Sequence, residues 1–454
     1  MALSNQHFAG RAPALSQHNV TVSKHGQYHS QVLVNGDTKR VLCCGLACSE
    51  IFSGPLLGRC LMSGHEYEQQ AIENLLEGEN AQTLSVHTSA GVPAAMSTFL
   101  EALSKHLPWS YSDWFCSLQS EGASAVLAAV DLSFQLRTEK EAKRWKVGVA
   151  STSYHGPPST ALGSKTTLFS KSEVQMMYPC PSPFDSPEEM ELKFSEYVKW
   201  LDNHCSDLAS ILIEPQWGSS QCAFVFPPAL LEKYMVEAKK RNLIVICDEI
   251  MCGMGRHGAA KTLFLTKALH LQRHVDIITF GKSIATGAFP LSGCVVKNGG
   301  GDFNARGKTV MQSHTYSGSC VRSLMAAVEV LNILDAYFRN DDAVPNFDIN
   351  SKGKLMHQLL EGIAEKSNGL FVVNGQGLMW GMMLNKDTCA KGNLDVSEVM
   401  ESLKEECNKQ DVLPYFVPVG GIMVTPLFDV DKGVLKDIGT KLALAIESVV
   451  KKSL

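Results

Sequence analysis

No two of the fourteen cysteines stand as C-x-x-C, and no histidine lies close to the "CCGLAC" cluster at 43–48. Zinc sites need such spacings, so the pattern predicts no metal site. The thiols are scattered, several within apolar runs such as "LIVICDEI". That distribution reads as reduced, mostly buried side chains and favours a reducing compartment, with a cytoplasmic location as the expectation. A basic excess is also missing: 41 Lys and Arg face 46 Asp and Glu, a formal net charge of -5. Nothing in that balance grips a phosphate backbone, so nucleic acid is not an expected partner. No apolar run is long enough to span a bilayer, which leaves no membrane role either. The first 36 residues lack Asp and Glu altogether, and only Arg11 and Lys24 carry positive charge there. The stretch reads as a flexible arm, with an organelle-targeting peptide as the alternative.

What is present is the texture of a soluble globular chain: 454 residues, 45% hydrophobic and 19% charged. That length exceeds what one growing core supports, so a large domain with a smaller companion is expected. From about residue 115 to 340, short apolar runs alternate with segments of helical period, the pattern of βα units on a mainly parallel sheet. "SAVLAAVDLSFQLRTEKEAKR" (124–144) predicts a long amphipathic helix and "KVGVAS" the strand after it. "ASILIEP" and "LIVICDE" read as strands, joined through "PPALLEKYMVEAKKRN", which opens with proline and ends in a basic turn as helices do. "VDIITFG" and "LSGCVV" add two strands, and "CVRSLMAAVEVLNILDAYF" an apolar helix. Beyond 341 the texture changes to an α+β alternation. The chain is therefore divided into 1–66 (arm and part of a small domain), 67–340 (large domain) and 341–454 (C-terminal small domain).

Lys282, in "FGKSIATGAFPLSG", follows the apolar run "VDIITF" directly, a position where an unpaired cation is costly to bury. The strand "LIVICDE" ends in Asp248 and Glu249, and in open α/β sheets ligands sit at the carboxyl ends of strands. A salt bridge between Asp248 and Lys282 is the plainer reading of that pair. Glu121-Gly122-Ala123-Ser124 opens a helix whose free amides can hold an anion. Tyr154 and His155 follow "KVGVA", and Thr315 precedes a helix in "QSHTYSGSC". A lysine able to form an imine, an acid for a ring nitrogen, a helix start for a phosphate and an aromatic for stacking together match the needs of pyridoxal phosphate.

Taken as a set, "IVICDEIMCGMGRHG", "DIITFGKSIATGAFPLSG", "YHGPPSTALG", "ILIEPQWG" and "HTYSGS" resemble the class III aminotransferases, a group of fold-type I pyridoxal phosphate enzymes. The wording of "DEIMCGMGR" and "HTYSG" is most similar to the branch acting on ω-amino acids or amines with pyruvate. The resemblance implies an α/β fold. A large domain with a mainly parallel seven-stranded sheet sandwiched by helices would be joined by a smaller α+β domain from the N- and C-terminal segments. It implies pyridoxal 5'-phosphate as cofactor, with Lys282 as the catalytic residue that holds its aldehyde carbon as a Schiff base and carries a proton at the substrate's α carbon. Asp248 would meet the pyridinium nitrogen, Ile250 and Tyr154 would flank the ring with His155 alongside, and Glu214 would sit near the phenolic side. Gly122 and Ala123 would bind the phosphate through their amides, joined by Thr315 from a second subunit. That sharing implies a homodimer, or a tetramer of dimers. Arg256 reads as a brace for the "GMGRHG" loop.

The implied activity is transfer of an amino group from an amine or an ω- or β-amino acid to an oxo acid such as pyruvate. Elimination, racemisation or a 1,2-amino shift on the same scaffold is the alternative, and a non-catalytic relative a further one. Three positions depart from the family pattern. The phosphate loop, usually Ser-Gly-Ser/Thr-Glu, is Glu121-Gly122-Ala123-Ser124; Ser219 replaces an acid after the glycine of "EPQWG"; and Ile422 stands where α-carboxylate-binding members have an arginine. The last two point away from ornithine-like substrates. The segment "VLCCGLACSEIFSGPLLGRCLMSG" reads either as an apolar pocket wall or as a packed, β-rich N-terminal piece.

Overall fold

The computed structural model describes residues 21–22, 29–34, 37–45, 51–77, 94–110, 113–136, 143–156, 174–297, 320–339 and 347–453. Thr315 and the first twenty residues lie outside these.

A seven-stranded sheet organises the larger part of the chain. Its strands follow the order Trp114–Gln119, Ser292–Lys297, Ile277–Phe280, Ile244–Asp248, Leu208–Ile213, Lys146–Ala150, Gln175–Tyr178. Only Ser292–Lys297 runs against the others, pairing antiparallel with both of its neighbours. The remaining pairs are parallel. Such strands are buried on both faces and so are apolar along their whole length rather than alternating; Leu208–Ile213 and Ile277–Phe280 are buried throughout. The mainly parallel, seven-stranded sheet expected from the sequence is thus present.

Helices return the chain between strands. Pro187–His204 starts at a capping box in which Ser186 and Glu189 satisfy each other's backbone amides. Pro228–Lys240 begins with proline and ends in Lys239 and Lys240, as its sequence predicts. The helix foreseen over 124–144 instead runs Gly122–Gln135, with Leu136 as its C-cap. It is less amphipathic than its periodicity suggested: Ala125, Val126, Ala128, Ala129, Val130 and Leu132 are all buried, because it lies across the sheet. The segment around the early cysteines is also resolved into a different form. Among its described residues it is strand over Asp37–Cys43, with a bridge at Gly45, and helix over Gly54–Leu76. That helix packs so closely on Val321–Phe338 that a Cβ on Gly64 would stand 2.7 Å from the Arg322 carbonyl oxygen.

A second core gathers around the C-terminal strands Phe371–Gln376, Met379–Leu384, Gly421–Val424 and Tyr415–Val417, which form an antiparallel sheet in that order. The short strand Val412–Leu413 pairs parallel with Asp37–Cys43, tying the N-terminal strands to the C-terminal part. Ile422 is fully buried in this second core. Arg256, also fully buried, donates from Nη1 to the carbonyls of Leu378 (3.1 Å) and Pro426 (2.8 Å), and its guanidinium lies 4.9 Å from the Phe428 ring centre. The brace read from its loop position is what the contacts describe.

Candidate active site

The carboxyl ends of the parallel strands meet at one edge, and five of the six lead to residues that line a single cavity of about 380 Å³. Trp114–Gln119 leads to Glu121, Gly122 and Ala123; Lys146–Ala150 to Tyr154 and His155; Leu208–Ile213 to Glu214; Ile244–Asp248 to Asp248 and Ile250; Ile277–Phe280 to Lys282. Every site residue expected from the sequence lines this cavity except Thr315, which is outside the described residues.

Asp248 closes its strand opposite Thr279, so the two side chains share a face. Its Oδ1 accepts from the Thr279 hydroxyl at 3.0 Å and from the Ile250 amide at 3.1 Å. Its Oδ2 lies 2.8 Å from Nδ1 of His155. Burial pushes the Asp248 carboxyl up, but the His155 hydrogen bond and charge outweigh it and hold the group below the usual carboxylate range. The converse applies to His155: burial favours the neutral ring, yet Asp248 and Glu214 raise it above the ordinary histidine value. Glu214 accepts from the amides of Tyr154 (3.3 Å) and Gly218 (3.1 Å). Burial dominates there and lifts it to about 7 against the lowering effect of His155. The three groups line one cavity, with His155 and Asp248 in direct contact. Nε2 of His155, in a side chain with no exposed surface, has no hydrogen-bond partner among the described residues.

Glu249, the neighbour of Asp248, faces away from this cluster. Its carboxylate accepts from the Leu265 amide and the Thr266 amide and hydroxyl, capping the short helix Leu265–Ala268. Successive residues of a strand point to opposite faces, so only one acid of the pair serves the cavity.

Lys282 is half-buried and opens a one-turn 3-10 helix, Lys282–Ala285. Its φ of 47° lies in the left-handed region that non-glycine residues rarely adopt. Such strain concentrates where surrounding structure must aim a side chain. Ile250 ties this turn to the opposite wall: a Cβ on Gly122 would stand 3.1 Å from its Cγ2, and one on Gly281 3.4 Å from the same atom. The helix behind Gly122 and Ala123 has no side-chain cap. A primary amine, an ionised buried carboxylate and uncapped helix amides therefore share one cavity, which suits a ligand with an anionic end, a protonated ring nitrogen and an electrophilic carbon.

Among the cavity residues that the sequence did not single out, Tyr415 arrives from the C-terminal sheet and Met251 follows Ile250, while Ser219, noted only as a departure from the family pattern, lies beyond Gly218. Thr279, which orients Asp248 from the neighbouring strand, was also missed, because only the strand pairing sets it beside that acid.

The chain matches the model of the family described as "Aminotransferase class-III" over residues 61–413. It is 24% identical over 313 residues to the adenosylmethionine-8-amino-7-oxononanoate aminotransferase of Staphylococcus aureus, covering 64% of this chain and 66% of that protein. To the 4-aminobutyrate aminotransferase of Escherichia coli it is 29% identical over 279 residues, 60% of each chain. These matches thus span a little under two thirds of the relatives' own length. In fold it resembles the (S)-enantioselective omega-transaminase of Thermomicrobium roseum, with a TM-score of 0.78 and 19% identity over 98% of this chain and 96% of the other. A structure from Vibrio fluvialis described as the PMP-bound form of an aminotransferase gives a TM-score of 0.78 at 18% identity, over 99% and 97%. The chain belongs to the class III aminotransferases, a family that depends on pyridoxal phosphate.

Proposed function

We propose that this chain is a transaminase that moves an amino group from an amine or an ω- or β-amino acid to an oxo acid such as pyruvate. The observation that carries the reading is the convergence of Lys282, Asp248 and an uncapped helix start on one cavity. The donor set fits pyridoxal phosphate. Asp248 is placed to hold a pyridinium N–H, being ionised and already oriented by three donors. The amides of Gly122 and Ala123 suit the phosphate, Ile250 and Tyr154 the two ring faces, and Glu214 the phenolic side, while the orphaned Nε2 of His155 offers a further polar contact. When bound, the cofactor supplies an electron sink for the carbon that loses its proton.

The chain's own groups divide the remaining work. Lys282 Nζ takes the proton from the amine-bearing carbon of the donor and returns it on the other side of the reaction. Asp248 stays negative, kept so by His155, and thereby keeps the ring nitrogen protonated. Among the described residues lining the cavity Lys282 is the sole lysine or arginine, against the carboxylates of Glu121, Glu214 and Asp248. With position 422 committed to the core, no cation stands there for an α-carboxylate. This favours an amine or an ω- or β-amino acid as donor, with any carboxylate on a reacting carbon, pyruvate's included, held elsewhere in the cavity.

We further propose a homodimer in which Thr315 completes the neighbouring site. Support comes from apolar side chains left exposed on the helix Gly54–Leu76: Met62, Ile72 and Leu76 are 49%, 41% and 81% exposed. The two cores are proposed as a large and a small domain dividing near residues 66 and 340. Among the described residues, thirteen of the fourteen cysteines are present and free, which favours a cytoplasmic location, and no helix is long and apolar enough to cross a membrane.

The test is a donor panel with pyruvate as acceptor, scored as alanine formed, with Lys282→Ala as the blank. Alanine from amines and ω-amino acids is expected; alanine from α-amino donors alone refutes the substrate class. Borohydride reduction followed by peptide mass spectrometry is expected to place the cofactor on Lys282, and an unmodified Lys282 refutes its role.

A further inference from the structure

The helix Gly122–Gln135 begins with the two halves of a common cap exchanged. A serine at the cap and a glutamate three residues on normally satisfy each other's amides, as Ser186 and Glu189 do elsewhere in this chain. Here glutamate, Glu121, holds the cap position and serine, Ser124, the third. Glu121 makes no side-chain bond to the helix amides; its Oε1 accepts from the Ser124 hydroxyl at 3.2 Å instead. Two consequences follow from that reversal. The first amides are left without a side-chain partner, and a carboxylate is pinned beside them, at the exposed lip of the cavity that Gly122 and Ala123 line. The unpartnered, fully buried Nε2 of His155 in the same cavity independently marks it as built for a ligand.

A helix N-terminus attracts an anion, and a like charge held at the same place opposes it. We propose that Glu121 is an electrostatic brake on phosphate binding: this chain holds its cofactor mainly through the ring and Lys282, and grips the phosphate weakly. The inference rests on the cofactor assignment above. Ser124 is a positioning residue in it, fixing the Glu121 carboxylate rather than meeting the ligand.

The test is equilibrium titration of the cofactor-free protein, followed by tryptophan fluorescence, with pyridoxal phosphate and separately with pyridoxal, which keeps the ring and aldehyde but has no phosphate. For Glu121→Gln at low salt, pyridoxal phosphate is expected to bind about tenfold more tightly, the size of a favourable charge effect at a helix terminus, while pyridoxal affinity stays within about twofold. The gain is expected to shrink at about 1 M salt, where the screening length falls to about 3 Å. The double exchange of Glu121→Ser with Ser124→Glu restores the usual cap order and removes the acid from position 121, so it too is expected to tighten pyridoxal phosphate binding.

Equal affinity of the wild type and Glu121→Gln for pyridoxal phosphate overturns the proposal. So does a parallel change in pyridoxal binding, a gain indifferent to salt, or a gain confined to the double exchange, which assigns the effect to helix capping. If the wild type and both variants bind neither compound, the cofactor assignment falls and the brake with it. If the wild type binds both compounds and Glu121→Gln leaves them unchanged, only the brake falls.

Discussion

Replacing His155 by leucine removes the side chain that does most to keep Asp248 ionised against its burial, while roughly conserving volume. Both groups are buried, with Nδ1 and Oδ2 2.8 Å apart. At an effective dielectric of about 20, opposite unit charges roughly 4 Å apart attract by about 4 kcal/mol, a figure that desolvation reduces. Breaking one side of a buried pair costs roughly 3–5 kcal/mol because the other charge is stranded. Asp248 keeps the Thr279 hydroxyl and the Ile250 amide, so the lower end, about 3 kcal/mol, is expected for the cofactor-free protein. The loss must depend on pH. His155 is raised in the folded state, so its contribution is complete below its unfolded value of about 6.5 and fades as pH climbs through the folded value. Asp248 is lowered, so its contribution holds above its unfolded value of about 3.9 and disappears only as pH falls through the folded value. The stability gap between wild type and variant is therefore widest between about pH 4 and 6.5 and narrows on the alkaline side. Urea unfolding of the two cofactor-free proteins across that range measures it. A gap that is constant with pH, or grows with it, refutes the assignment of an ionised pair.

Gly122→Val places a branched side chain where even a Cβ would stand 3.1 Å from Ile250 Cγ2. Ile250 cannot retreat without disturbing Gly281, so affinity for pyridoxal phosphate is expected to fall by at least about tenfold in equilibrium titration, the cost of an overpacked contact. Arg256→Leu strands the carbonyls of Leu378 and Pro426 and removes the contact with Phe428. It is expected to destabilise by about 3 kcal/mol in denaturant unfolding, while activity per folded molecule is retained.

The parallel sheet was legible because its strands are apolar runs of fixed length separated by helical periods, and the site was legible because ligands gather where such strands end. Asp248, Glu214 and Lys282 all follow that rule. Position within a strand was harder: Asp248 and Glu249 are adjacent acids at a strand end, and only the face each takes in the sheet separates a cavity residue from a helix cap. Glu249 is spent on Leu265 and Thr266, partners that no local pattern announces. Tyr415 reaches the cavity from a strand of another sheet, a contact set by how two layers meet rather than by anything near it in the chain. The helix Gly54–Leu76 was hidden for a compositional reason. Its start is rich in glycine, cysteine and leucine, which favour no single element, and packing on Val321–Phe338 decides its form.

The lone antiparallel strand Ser292–Lys297 also governs the order of assembly during synthesis. Trp114–Gln119, which leads into the helix Gly122–Gln135, borders no other strand of the sheet among the described residues, and Ser292 is 173 residues downstream of its partner Gln119. As the chain emerges, the first wall of the cavity to be made stays an unpaired edge until nearly two hundred further residues have appeared. Contacts so distant in sequence are slow to form and leave strand edges open to other chains meanwhile. Folding yield should therefore depend on shielding of the nascent chain more steeply than the stability of the finished protein does.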